Sequence, residues 1–225
     1  MWCIISNCRL CDLNNKFCEL YNLREHLAVD EVIMSYKGRV VFRQYIPKKH
    51  KRFGIKIYKL CDSLGYTYDM SAYLGKQRLH ATAQITATHG TVLQVIRRVD
   101  GLCHKIFMDS YFTLLAVWWS VPMKNQCVWN SSPCQAWNST RYWTKISKNE
   151  RGAIATQIRG MCSLSNMHDP PVKGNFTQES GQVIKPRVVE DYIAYMGFVY
   201  KSDRMVNSYG IARRTWKWTK KLFFT

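Results

Sequence analysis

The stretch L-A-V-D-E-V-I-M at residues 27–34, read with K-I-F-M-D at 105–109, decides how this chain folds. Each is a short apolar run carrying one acid, Asp30 in the middle of the first and Asp109 at the end of the second. Short apolar runs bounded by polar turns read as buried strands. V-V-F-R-Q-Y-I (40–46), F-G-I-K-I-Y-K-L (53–60) and Y-T-Y-D-M-S-A-Y-L (66–74) continue the pattern, each bounded by Gly, Pro or a basic turn, so a meander of strands is expected over 27–73. Val92, Leu93, Val95, Ile96 and Val99 then recur at helical spacing, introduced by Thr88-His89-Gly90-Thr91, where a threonine is placed to cap. Strands, a helix and a returning strand make an α/β layer: a mixed, partly antiparallel sheet flanked by helices.

An acid at the centre of one strand and another at the end of its neighbour is the arrangement that divalent ions need for in-line phosphoryl transfer, because both carboxylates project into one site. Turn or capping aspartates at strand ends are the ordinary alternative, and spacing alone does not separate the two.

Composition narrows the class of partner. With 47% hydrophobic and 13% aromatic residues among 225, the chain has material for a packed core. Its 33 Lys and Arg against 15 Asp and Glu give a net charge of +18, spread from Lys37 to Lys221. A polyanion is the expected partner, nucleic acid first, since phosphate neutralisation dominates such binding. No run reaches the roughly 18 to 20 apolar residues of a membrane helix, so no membrane association is expected. Nine cysteines at irregular spacing read as reduced thiols, and the Asn130, Asn138 and Asn175 glycosylation triplets as chance matches. Cys8 and Cys11 are C-x₂-C, but no second tight pair accompanies them, so zinc is not expected. Cys18 reads as facing the core from a helix through 16–21.

Residues 114–148 show neither helical nor strand periodicity. Helical patterning returns at 188–196 and 204–224, where Trp216 and Trp218 interleave with Arg213, Arg214, Lys217, Lys220 and Lys221. The expected organisation is a lead-in helix at 1–26, a first part of the core at 27–113, a disrupted insertion at 114–165 and a helical C-terminal part of the core at 166–225.

Several blocks carry a family resemblance. The run from Asp30 to Gly75 combines an Asp-Glu pair, a K-G-R turn, Y-I-P before a basic loop, and a G-I-K strand. M-D-S-Y-F-T at 108–113, N-M-H-D-P-P at 166–171 and R-R-T-W-K-W-T-K-K-L-F-F at 213–224 follow in order. Together they resemble the catalytic core of piggyBac-type transposases, over nearly the whole chain except 114–148. The resemblance implies an RNase H-like fold with three catalytic aspartates, two on strands and one on a late helix, cutting and rejoining DNA with Mg²⁺. It also implies DNA as partner and no small-molecule substrate, and leaves a homodimer open; the basic run Pro47-Lys48-Lys49-His50-Lys51-Arg52 reads as a grip on the DNA backbone or a nuclear-import patch, so nuclear localisation is expected.

By that resemblance Asp30 matches the first aspartate and Asp109 the second. The third belongs to a G-[GYF]-V-D-x-x-D block, which this chain reads as Gly197-Phe198-Val199-Tyr200-Lys201-Ser202-Asp203. Tyr200 stands at the catalytic position, and the block's second acid survives as Asp203. A phenol deprotonates only near pH ~10 and is a poor ligand for a hard cation. Asp203, roughly 4.5 Å further along a helix axis, is a substitute metal ligand or a surface acid paired with a cation. The expectation is a transposase remnant with Mg²⁺ as its ancestral metal and doubtful activity, or a DNA-binding or protein-interaction module derived from one.

Phosphate contacts are expected from Lys37, Arg39, Arg43, Lys48, Lys49, Lys51, Arg52 and Lys56 around the first hairpin, and from the basic residues at 213–221. A solvated hairpin loop is the plainer reading of the first group. Within 114–148, suitable synonymous codons for Trp137-Asn138-Ser139-Thr140 and Trp143-Thr144-Lys145, read one base later, give Gly-Ile-Pro and Gly-Pro-Lys. These resemble the family's pattern after its second aspartate, so a frameshifted segment is the working hypothesis there.

Overall fold

Strand β1, His26–Ser35, runs through the middle of the sheet and is apolar on both faces, as a strand covered on both sides must be. The structure, a computed structural model, describes residues 2–47, 49–75, 87–100, 102–109, 126–131, 154–158, 161–165, 187–208 and 220. Helix α1 is Trp2–Leu20; β2 (Gln44–Tyr45), β3 (Phe53–Asp62) and β4 (Thr67–Ala72) follow β1. Helix α2 (Ala87–Ile96) runs into a short 3₁₀ turn and leads to β5 (Lys105–Asp109), β6 (Gln126–Ser131), β7 (Ile154–Ile158) and β8 (Met161–Ser165). Helices α3 (Arg187–Tyr195) and α4 (Phe198–Ser208) come last.

These strands form one sheet of order β2-β3-β1-β5-β6-β8-β7, with β4 also paired to β3. Pairing is parallel between β1 and β5 and between β5 and β6, and antiparallel elsewhere. Joining β1 to a parallel β5 requires a crossover, and α2 lies on that connection.

Side chains alternate between the two faces of a strand, and the packing follows that parity. Leu27 and Val29 of β1, Leu60 of β3, and Ile106 and Met108 of β5 pack under Val92, Val95 and Ile96 of α2. On the opposite face, Ala28, Val32 and Cys61 meet Phe198 and Val199 of α4. Phe107 meets Val188 and Val189 of α3 on that same side. Helix α1 covers the end of the sheet, with Leu10 against Met34, Ile55, Ile57 and Met70.

Two polar clasps fix the edges. Asn14 donates to the Asp69 carboxylate at 2.5 Å and to the Met70 carbonyl at 2.9 Å, while Arg98 reaches Asp69 at 2.8 Å. Burial pushes the Asp69 carboxyl up to about 6, and Arg98 opposes that shift. In the β3–β4 turn, Asp62 accepts the backbone N–H groups of Leu64 (2.9 Å) and Tyr66 (3.0 Å), and Gly65 adopts φ +83°.

The structure departs from the sequence expectations in four places. The expected disrupted region contains β6, β7 and β8; β6 has little periodicity of its own, and its place is set by pairing with β5 and β8. The 40–46 run pairs only at Gln44–Tyr45, because the chain turns at Val40–Arg43 and leaves Val41 90% exposed. Helix α2 begins at Ala87, so Thr91 is a buried interior residue instead of a cap. The helix expected from Arg204 begins earlier, at Phe198 of α4, and is helical as far as Ser208; the rest of that expectation, at 209–219 and 221–225, and residues 114–125 and 132–153 lie outside the described residues. Cys18 is half-buried on α1, its thiol 3.8 Å from the Tyr68 carbonyl.

Candidate active site

Asp30 and Asp109 come together through strand register. Parallel pairing of β1 and β5 sets Ala28 beside Phe107 and Val29 beside Met108, which carries Asp30 to the level of Asp109 at the end of β5. By strand parity both acids share the face of Ala28, Val32 and Phe107, the face covered by α3 and α4. The Asp30 carboxylate is pinned by the Glu31 N–H, which donates to Oδ1 at 2.7 Å. Burial is the main cause that pushes the Asp30 carboxyl up to about 7; Glu31 and Asp109 add to it, while the Glu31 N–H and Lys49 oppose it.

Tyr192 of α3 completes this corner. Burial first, then the negative charges of Asp109 and Asp30, holds its phenol well above the usual range, which places it within electrostatic reach of both acids. Sequence reasoning missed Tyr192: the helix containing it was legible, but the direction of that tyrosine depends on how α3 docks.

Tyr200, which the sequence resemblance sets at the position of the family's third aspartate, is 67% exposed near the start of α4, with the Arg204 guanidinium 5.9 Å from its ring centre. Its chain neighbour Val199 packs on the Asp30 face of β1. Asp203 is held elsewhere. Its Oδ1 lies 3.7 Å from Lys51 Nζ, and its Oδ2 accepts from Asn207 at 3.1 Å. Buried Lys59 also feels it: burial, first of all, lowers the Lys59 ammonium, and Asp203 is among the charges opposing that shift. Among the described residues no three His, Cys, Asp or Glu side chains converge, so Asp203 is not brought to Asp30 and Asp109.

Hard carboxylate oxygens, two on one face with one of them destabilised first by burial and then by neighbouring negative charge, are a donor set that suits Mg²⁺, because a divalent cation offsets the cost of the buried charge. The residues present therefore fit a Mg²⁺ held by Asp30 and Asp109. Among the described residues they do not supply a third carboxylate.

The basic hairpin borders this corner. Lys49 reaches back to Glu31 at 3.2 Å, and Lys51 to Asp203 and to Asn207 (3.3 Å). Lys37, Arg39, Arg43 and Arg52 are exposed. Lys56 departs from the expected set of phosphate contacts: it is 7% exposed on a strand covered on both faces, its ammonium 4.9 Å from the Tyr58 ring centre. Lys220 is exposed, and Lys48, Arg213, Arg214, Lys217 and Lys221 lie outside the described residues.

Residues 10–117 and 133–225 match the model of the family described as Transposase IS4. The gap between the two stretches, 118–132, includes all of β6, and the second stretch contains the 137–145 window of the frameshift hypothesis. Among solved structures, the chain is similar to a piggyBac transposase seen by cryo-electron microscopy in a synaptic complex with hairpin DNA. The TM-score is 0.72 and the identity 25%, over 96% of this chain and 47% of that one. The chain thus spans about half the length of that relative. With the mixed sheet, its flanking helices and the two acids on neighbouring parallel strands, these matches place the chain in the IS4 transposase family, as a piggyBac-type member with an RNase H-like fold.

Proposed function

We propose that this chain is a DNA-binding remnant of a cut-and-paste transposase core, which holds Mg²⁺ at Asp30 and Asp109 and does not cleave DNA. The observation that supports this best is the register-set pair of acids, together with a tyrosine, Tyr200, where the resemblance calls for a third aspartate. Bound Mg²⁺ supplies Lewis-acid stabilisation of charge on a phosphodiester.

The chain's own residues do the rest. Asp30 and Asp109 would hold the cation, with the half-buried Tyr192 phenol within electrostatic reach of both. Exposed Lys37, Arg39, Arg43 and Arg52 position the phosphate backbone without reading bases. Metal-dependent transfer tolerates little displacement of its ligands, so two fixed carboxylates bind a cation without assembling the catalytic set.

The test is an assay on nicked and hairpin duplexes with Mg²⁺ or Mn²⁺. Salt-sensitive binding without cleavage is expected, and Tyr200→Asp is expected to gain metal-dependent nicking. Cleavage by the unmodified protein that Asp30→Ala abolishes would refute the inactive reading. Duplex binding indifferent to chelator and to Asp30→Ala would favour a metal-free DNA-binding module instead.

A further inference from the structure

The first hairpin carries an aromatic feature that phosphate binding does not use. Tyr45 of β2 and Phe53 of β3 are direct cross-strand partners at the edge of the sheet. Their rings stack with centroids 4.5 Å apart and planes 28° from parallel, yet they remain 57% and 51% exposed. The Arg43 guanidinium lies 5.9 Å from the Phe53 ring centre. Arg43 is itself fixed, donating to the carbonyls of Lys37 (3.1 Å) and Gly38 (3.2 Å). Two aromatic side chains and an anchored cation thus form a rigid platform facing solvent.

Its electrostatic setting selects the occupant. Residues 32–61 contain nine Lys and Arg and no Asp or Glu. Exposed Arg43 over the Phe53 ring, and exposed Arg52 as its chain neighbour, beside open aromatic faces suit a polyanion with planar groups, which is the combination found in single-strand binding sites. An intact duplex hides its base faces in the stack and offers only phosphates to such a surface.

We propose that Tyr45 and Phe53, with Arg43, form a stacking site for an unpaired nucleobase of DNA, selecting single-stranded or frayed segments over duplex. This rests on the DNA-binding reading above and adds to it a base-stacking contact that neither the acids nor the basic loop supplies. The phosphates flanking the stacked base lie against Arg39, Arg43 and Arg52.

The experiment compares three fluorescent probes by anisotropy: an oligothymidylate, a duplex of the same length, and an oligothymidylate with abasic sites at its centre. Tyr45→Ala/Phe53→Ala is expected to weaken oligothymidylate binding by about tenfold or more and to leave the duplex and the abasic probe within about twofold. Phe53→Trp is expected to retain single-strand affinity and, on binding, to lose more indole fluorescence than the parent with its eight tryptophans does. Both side chains are half-exposed, so the thermal transition of the double variant should match that of the parent. Equal losses for all three probes, or none for any, would overturn the stacking site while leaving DNA binding standing. If the unmodified protein binds none of the probes, the DNA-binding reading falls and the stacking site with it. Capture of a protein partner through Tyr45 and Phe53, with single-strand affinity unchanged in the double variant, would also overturn it.

Discussion

Replacing Asp30 by Asn is expected to stabilise the metal-free protein at neutral pH. The folded protein lifts this carboxyl from the ordinary 3.8 to about 7, first through burial and then through the charges of Glu31 and Asp109. A raised folded value means that the folded state binds the proton more tightly than the unfolded chain does. The stability linked to that proton is fully present below about pH 4, is lost progressively as pH rises to about 7, and stays lost above it. At about 1.36 kcal/mol per pH unit the ceiling is about 4 kcal/mol. Asparagine keeps an oxygen for the Glu31 N–H, which now donates to Asp30 at 2.7 Å, and it carries no charge. A gain of about 2 to 4 kcal/mol raises the melting temperature by roughly 5 to 15 °C in a domain of this size. Thermal melts of both proteins in chelator, near pH 8 and near pH 4.5, measure the effect. The gap should be wide at the higher pH and nearly closed at the lower. Adding Mg²⁺ near pH 8 should raise the parent and leave Asp30→Asn where it was. A variant no more stable than the parent near pH 8, or a gain indifferent to pH, would refute the electrostatic account of the pair.

Other outcomes follow from the packing. Leu60→Ala removes a fully buried side chain between β3 and α2 and should cost about 2 to 5 kcal/mol by chemical denaturation. Gly65→Ala forces a Cβ onto φ +83°, 3.2 Å from both Lys201 Cγ and Ser202 N, and should cost about 1 to 2 kcal/mol, read as a lower melting temperature. Asp203→Asn should destabilise by about 1 to 3 kcal/mol, because Lys51 and buried Lys59 lose their shared counter-charge. Isothermal titration should show its Mg²⁺ affinity unchanged; a tenfold fall would put Asp203 at the metal.

Legibility of the fold tracked burial on both faces. β1, β3 and β5 are sheathed by helices on either side, so their apolar runs survive in the sequence as strands and their acids stand out against the background. β6 is fixed by its partners, and the run around Val41 is apolar yet exposed, so composition misleads in opposite directions at the two places. The same two-sided burial misled at Lys56. Lys56 reads in the sequence as a phosphate contact, whereas both lysines of I-K-I-Y-K-L, Lys56 and Lys59, point to opposite faces of β3 and are buried. Tyr45 and Phe53 are ordinary strand aromatics in the sequence; only the register of a two-residue strand makes them partners.

The two readings of Asp203 left open by the sequence are separated by where counter-charge sits. Asp203 is matched by Lys51 and by the buried ammonium of Lys59, so its charge is answered within the protein. At Asp30 the sum runs the other way: burial, Glu31 and Asp109 outweigh Lys49, whose ammonium also serves Glu31 at 3.2 Å while remaining 46% exposed. An ion pair that exposed contributes roughly 0 to 1 kcal/mol, well short of the penalty on the carboxylate. The proposed Mg²⁺ at Asp30 and Asp109 follows from that imbalance: a cation there would offset first the burial of the Asp30 charge and then the nearby charges of Glu31 and Asp109, whereas Asp203 already has Lys51 at 3.7 Å.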